Sequence, residues 1–290
     1  MEMWTKEDYY SWRLMVKNIK LYITFFVLQM KTIMEYKSDF IIGLLSVVIG
    51  QINTFLLTIV IFTQLDSLVG FTINEIILMY GFYVTIKGID HFYNDNIWSF
   101  AWNKVRDGRF ITVLLRPINP IFHIVMERIE ITGLSETIVG IIIVVVFSAK
   151  LRVAFTVGKF FVLLLLLLCG LAVYFSVKLL FSAPAFWTVS CGEFMTAGVE
   201  VSNSAKYPVE LYKNKIVKGV LLYLLPFPIS AYFPTVYCLN REYTIQALFN
   251  NPTLTMTHMV LYVVIVTTML SLVSVGIWNY GLKHYEPTGT

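Results

Sequence analysis

The chain has 290 residues, of which 57% are hydrophobic and only 14% charged, and its mean hydropathy is +0.72. A soluble globular chain runs nearer half apolar and a quarter charged, so a cytosolic enzyme, a disordered tail and a nucleic-acid binder are excluded as leading readings. The net charge is only +4, so the placement of the cations says more than their number.

The first forty residues are too polar to cross a bilayer, yet they mix Trp4, Tyr9, Tyr10, Trp12, Tyr22, Phe25 and Phe26 with Lys6, Arg13, Lys17, Lys20, Lys31 and Lys37. This is the composition of a helix lying in the headgroup plane with its cations toward anionic lipid. Residues 1–39 are therefore expected as a cytoplasmic interfacial amphipathic helix that bends into the first crossing near Ser38 and Asp39. No short apolar core with a small-residue cleavage site is present at the N-terminus, so no signal peptide is expected.

A crossing needs about 20 mostly apolar residues for ~30 Å of hydrocarbon. Phe40 to Phe62, Val157 to Phe181 and Met256 to Tyr280 meet this plainly. Glu75 to Tyr93 carries Lys87 and Asp90, Ile121 to Phe147 carries Glu127, Arg128 and Glu130, and Ile216 to Leu239 is interrupted by Pro226, Pro228 and Pro234. Taking all six as crossings gives an all-α integral membrane fold over residues 40–281, followed by a cytoplasmic tail at 282–290. An even number places both termini on one side. Lys104, Arg106, Arg109 and Arg116 follow the second crossing and Lys206, Lys213 and Lys215 the fourth, which assigns these loops and both termini to the cytoplasm. Lys150, Arg152 and Lys159 after the third crossing fit that orientation badly; Arg241 is the one cation after the fifth.

Residues 94–120 form the most informative loop. Its stretch Trp98 to Pro120, WSFAWNKVRDGRFITVLLRPINP, alternates aromatic, basic and aliphatic residues. Asn103 to Asp107 is expected as a short helix, Gly108 as a turn and Phe110 to Leu115 as the return to the membrane, with Pro117 and Pro120 opening the next span. From physics alone, docking onto another protein and anchoring in lipid are equally good readings. In the crossings, Lys87 and Asp90 stand one turn apart and can pair on one face. With Glu127, Arg128 and Glu130 they are read as a structural charge network in preference to a substrate-binding charge. Asn53, Tyr80, Tyr83 and Tyr223, with Gln51, are candidates for a translocation path or for polar helix contacts. Pro226 and Pro228, with Pro234, mark either a gate or a static kink.

There is no GxxxxGK[ST] phosphate loop, no HExxH, no GxSxG and no Cys/His cluster at ligand spacing. Cys169, Cys191 and Cys238 are read as packing residues, and His91, His123, His258 and His284 as packed or interfacial. No catalytic site, metal or cofactor is expected in the chain itself.

The phrase VRDGRFITVLLRPINP, Val105 to Pro120, resembles a segment of type-2 ABC exporter permeases of the short, six-span bacterial subgroup with a separately encoded ATPase. Asn74 to Gly88, NEIILMYGFYVTIKG, is similar to that family's second span, and Tyr207 to Pro234, with LLPFPISAYFP, to its fifth. The resemblance implies two permeases, identical or paralogous, beside two ATPase subunits that bind ATP and Mg. It also implies that the loop 94–120 is a coupling helix docking through Trp102, Lys104, Val105, Arg106, Asp107, Gly108, Arg109 and Phe110, with Arg116 and Pro117 as hinge. The expected partners are thus the ATPases, a second permease and membrane lipid, with no nucleic acid, and the expected activity is export of an amphipathic small molecule, peptide or lipid. Two alternatives are a proton-coupled secondary transporter that uses Lys87, Asp90, Glu127 and Glu130, and an integral-membrane enzyme acting on lipids, for which no nucleophile, metal or phosphate constellation is seen.

Overall fold

In a computed structural model, residues 20, 23–28, 30, 31, 35, 37–62, 65, 67–188 and 190–286 are described. The greater part of the expected interfacial helix at 1–39 lies outside them. Among the described residues the fold is all-α, with no strand. The long helices are α1 (Lys37–Phe62) and α2 (Ile73–Asn94), followed by the short α3 (Asn96–Ser99), α4 (Phe110–Leu114) and α5 (Pro120–Glu127). Next come α6 (Thr132–Lys150), α7 (Val157–Ser182), α8 (Ala185–Thr188), α9 (Gly192–Ser202), α10 (Lys215–Gly219), α11 (Tyr232–Cys238), α12 (Glu242–Phe249) and α13 (Met256–Lys283). Among the described residues four helical stretches are long and apolar enough to span a membrane: Ile41–Val60, Thr132–Lys150, Val157–Thr188 and Met256–Lys283.

The centre of the bundle is α2, a 22-residue helix of about 33 Å. It packs along α6 through small residues from both sides. A methyl group at Gly140 would strike the Thr85 backbone, and one at Gly133 the backbone of Phe92 and Gly88. Such close approach is how helices associate where lipid tails remove the hydrophobic drive between them. Thr85 and Thr137, both buried here, return their hydroxyls to the Gly81 and Gly133 carbonyls at 2.8 Å, so neither carries an unsatisfied donor into the interface.

One expected crossing is corrected in its bounds, and another bends at the prolines expected to interrupt it. Ile121 to Phe147 is not one helix: α5 ends at Glu127, Arg128 is extended (φ −143°, ψ 135°) and α6 starts at Thr132. Three charged residues in four positions favour water or protein over lipid, and the break is tied down where the Glu130 amide donates to the Phe92 carbonyl at 3.1 Å. Glu127, Arg128 and Glu130 therefore lie ahead of the apolar helix, outside it. Ile216 to Leu239 is likewise not continuous. After α10 the chain makes a π-helical turn at Val220–Leu224, a kink at Leu225 and Pro226, a 3₁₀ turn at Phe227–Ser230, and only then α11. Pro226, Pro228 and Pro234 remove amide donors, and Pro234 is tolerated because it falls in the first turn of α11. Freed carbonyls find other donors: Tyr262 Oη donates to Leu222 O at 2.6 Å and Ser230 Oγ to Phe227 O at 2.7 Å.

At the end of the bundle where α7 begins, Lys159 is buried and donates through Nζ to the carbonyl of Cys238 at 2.6 Å, closing the C-terminus of α11. This accounts for one cation of the ill-fitting third connection: it serves packing rather than topology. Arg241 is also engaged internally, with Nη2 2.5 and 2.6 Å from the Glu75 carboxylate oxygens, Nη1 3.0 Å from Gly70 O, and its guanidinium over the Phe71 ring. The segment after Cys238, for which a turn or two of helix was open, forms the eight-residue α12, capped by Asn250 in the left-handed region (φ 51°).

Candidate functional site

The C-terminal ends of α2, α7 and α13 meet beneath residues 95–119. A core separate from the main one forms there from Ile97, Phe100, Val105, Phe110, Phe186 and Trp278, among others. Its rings stack edge to face and tilted: Phe100 lies 5.1 Å from Phe110, 5.2 Å from Phe186 and 4.7 Å from Trp278. Tyr285, placed by the sequence in the cytoplasmic tail, packs 5.1 Å from Phe110. Aromatic pairs in such geometry add to the burial of their area.

The chain follows this base as α3, a π-helical turn at Phe100–Lys104, and a turn at Gly108, whose φ of +69° falls in the left-handed region that glycine adopts without a Cβ clash. Then comes α4. The loop is clasped from the side: the Cys191 amide donates to Ala101 O at 2.9 Å and Ser190 Oγ to Trp102 O at 3.3 Å. Gly192 lies so close under the Trp102 indole that any side chain there would collide with it.

This packing divides the eight residues expected to dock and the two expected as hinge. Lys104, Val105 and Phe110 are buried and Trp102 is half-buried. The side chains of the first three face inward and form part of the base. Lys104 Nζ contacts the Glu127 carboxylate at the end of α5. Arg106, Asp107, Arg109, Arg116 and Pro117 are exposed, with Gly108 between them. Asp107 sits between two guanidiniums, 2.7 Å from Arg109 Nη2 and 3.4 Å from Arg106 Nε, and the Arg109 hydrogen bond above all holds its carboxyl below the usual range. Arg106 also bonds Asn103 Oδ1 at 2.9 Å. Arg116 contacts His123 Nε2; burial, then Arg116 and Lys104, hold that imidazole below its ordinary value, so it stays neutral and accepts from the guanidinium at pH 7. Beside this basic rim Leu114 and Leu115 are exposed, Leu115 at 79%. The surface can therefore offer fixed cations next to a small apolar patch.

Behind the loop the charge network differs from the expected one. Lys87 and Asp90 do not pair. Asp90 is bound by Lys178 of α7, Nζ to Oδ2 2.7 Å, and the same ammonium reaches Asp95 Oδ1 at 3.1 Å. Asp90 and Lys178 are both buried, and Asn94 Nδ2 supplies Asp90 with a further bond at 2.8 Å. Lys87 instead stands 5.6 Å over the Tyr83 ring. Arg128 and Glu130 pair with each other at 2.6 Å. Lys178 and Glu136 are members that sequence reading missed; a lysine eleven residues into an otherwise apolar stretch from Leu167 was the available signal.

The candidate path residues are not brought together. Tyr80 and Tyr83 border a polar cavity of about 120 Å³ with Gln51, Asn203 and Lys206; Tyr80 donates to Gln51 Oε1 and Tyr83 to Asn203 Oδ1 at 2.8 Å. Asn53 is exposed on α1, away from that cavity. Tyr223 borders a different cavity, of about 240 Å³, with Phe249, His258 and Tyr262. Pro226 and Pro228 are buried in the kink. Among the described residues no three His, Cys, Asp or Glu side chains gather as metal ligands.

No curated protein and no solved structure matches the chain significantly. A family model does: that of the ABC-2 family transporter proteins matches residues 48–289, which takes in the loop, its aromatic base and the charges behind it. The chain is a membrane protein of the ABC-2 transporter family, a permease of the kind that works with an ATPase partner.

Proposed function

We propose that this permease is the membrane subunit of an ATP-driven exporter and that residues 95–119 take up force from a separately encoded ATPase. The observation that carries this reading is the contrast within the loop: Arg106, Arg109 and Arg116 are exposed on a turn whose underside is a packed ring cluster joined to α7, α9 and α13. A push on such a turn moves helices because packed aromatic cores shift as blocks. Two permeases, identical or paralogous, each crossing the bacterial cytoplasmic membrane six times with both termini in the cytoplasm, stand beside two ATPases. α2 and the kinked segment 215–238 supply the second and fifth crossings. ATP and Mg belong to the ATPase, and the cargo is an amphipathic small molecule, peptide or lipid.

The test is charge reversal. In proteoliposomes that hold the permease with its co-purifying ATPase, R106E/R109E should abolish permease-stimulated ATP hydrolysis while leaving the thermal unfolding midpoint unchanged; stimulation that persists sinks the reading. A proton-coupled transporter is the second reading, supported by the carboxylates and His91 around one cavity. It requires transport driven by a pH gradient in vesicles without ATP. Against it stands the engagement of Asp90 with Lys178.

A further inference from the structure

Between α2, α6, α7 and α9 lies a cavity of about 320 Å³, within the range of small-molecule sites. Its lining combines the apolar Trp98, Phe181, Met195 and Phe227 with the charged Asp90, Asp95, Glu136, Lys87 and Lys178, and with His91. Two buried polar atoms on its wall make no hydrogen bond of ordinary length: Glu136 Oε2, which faces His91 at 3.6 Å, and the hydroxyl of Tyr174, a residue only 4% exposed that has Ser202 and Ser230 as its polar neighbours. Buried polar atoms in folded proteins are seldom left so.

The charges say what is missing. Three carboxylates face the cavity, and the Lys178 ammonium divides itself between Asp90 and Asp95. Lys87 is turned to the Tyr83 ring. His91 bridges the remainder at 3.6 Å from both Asp95 and Glu136, too long for a hydrogen bond. Glu136 Oε2 is thus met only by the long contact with His91. The cavity lining also includes the rings of Tyr174, Trp98 and Phe227, whose faces attract cations.

The geometry points to a binding site for a small amphipathic amine, its ammonium held by Glu136 Oε2 and Tyr174 Oη and its apolar body against Trp98, Phe181, Met195 and Phe227. The site lies within one permease and needs neither the ATPase nor the loop contact, so it stands or falls apart from the transport reading. It adds a ligand class and the residues that select it.

The experiment uses the full chain in nanodiscs and three probes with one indole body: tryptamine, the neutral alcohol tryptophol and the anion indole-3-propionate. Calorimetry should show saturable tryptamine binding, tryptophol at least tenfold weaker and no binding of the propionate. E136Q should weaken tryptamine at least tenfold and leave tryptophol unchanged. V199W, which fills the cavity from α9, should abolish tryptamine binding and serves as second variant if E136Q fails to fold. Absence of tryptamine binding, equal affinity for amine and alcohol, or preference for the anion would each overturn the site.

Discussion

Helices α1 and α2 follow one another in the chain and are opposites. α1 carries no charge between Phe40 and Phe62, yet no residue from Ile41 to Val60 is buried. α2 carries Glu75, Lys87 and Asp90, yet fifteen of its residues are buried, continuously from Glu75 to Ile86. In water the order would be reversed. In a bilayer the solvent is itself apolar, so apolar sequence marks the surface offered to lipid or to a partner, and charges retreat to where protein can pair them. The interfaces differ in kind as well. α2 meets α6 backbone to backbone, whereas α1 approaches through isolated points such as Gly43 against Thr132 and Gln51 against Tyr80.

The contrast can be broken most severely at a glycine. G140L drives a side chain into the Thr85 backbone and should leave no monodisperse peak in size-exclusion chromatography in mild detergent; G50L, with nothing within 4 Å, should behave as wild type. Equal behaviour of the two would end the distinction. Next in size, K178M leaves Asp90 and Asp95 without their cation and should cost about 3–5 kcal/mol in denaturant unfolding. Adding D90N should return part of that loss, and an unchanged midpoint for K178M would show that the pair is dispensable. Smaller again is R241A at the far end of α2, where losing the bonds to Glu75 and Gly70 should cost about 2 kcal/mol by the same measurement. The smallest effect belongs to α1. N53L should change stability by less than about 0.5 kcal/mol; a larger shift in the unfolding midpoint would show that Asn53 makes a structural contact.

Part of this architecture was legible in the residues. The uncharged runs at 40–62, 157–181 and 256–280 correspond to α1, α7 and α13 within a few residues, because transfer free energy accumulates along a helix residue by residue. Gly108 marked its turn, since a positive φ narrows the choice of residue type. The breaks were harder. Arg128 to Ile131 interrupts an expected crossing because the Phe92 carbonyl receives the Glu130 amide, a bond invisible from either segment alone. Lys159 looked like a topology signal until Cys238 stood beside it. The loop shows the same limit: Trp102, Lys104, Val105 and Phe110 sit among the exposed arginines in sequence, and only contacts from later segments, such as Gly192 under Trp102, Glu127 at Lys104 and Phe186 and Tyr285 around Phe110, turn them inward.

By itself, then, the sequence determined that this chain belongs in lipid, which stretches are apolar enough to cross it and where the longest basic connection falls; each is a sum of local transfer costs. The tertiary structure alone decided that Lys178, not Lys87, neutralises Asp90, that α2 is the buried axis and that Glu136 faces a cavity beside His91. Those outcomes depend on which distant helices lie within a few ångströms, and Coulomb and hydrogen-bond energies are set by that separation, not by distance along the chain.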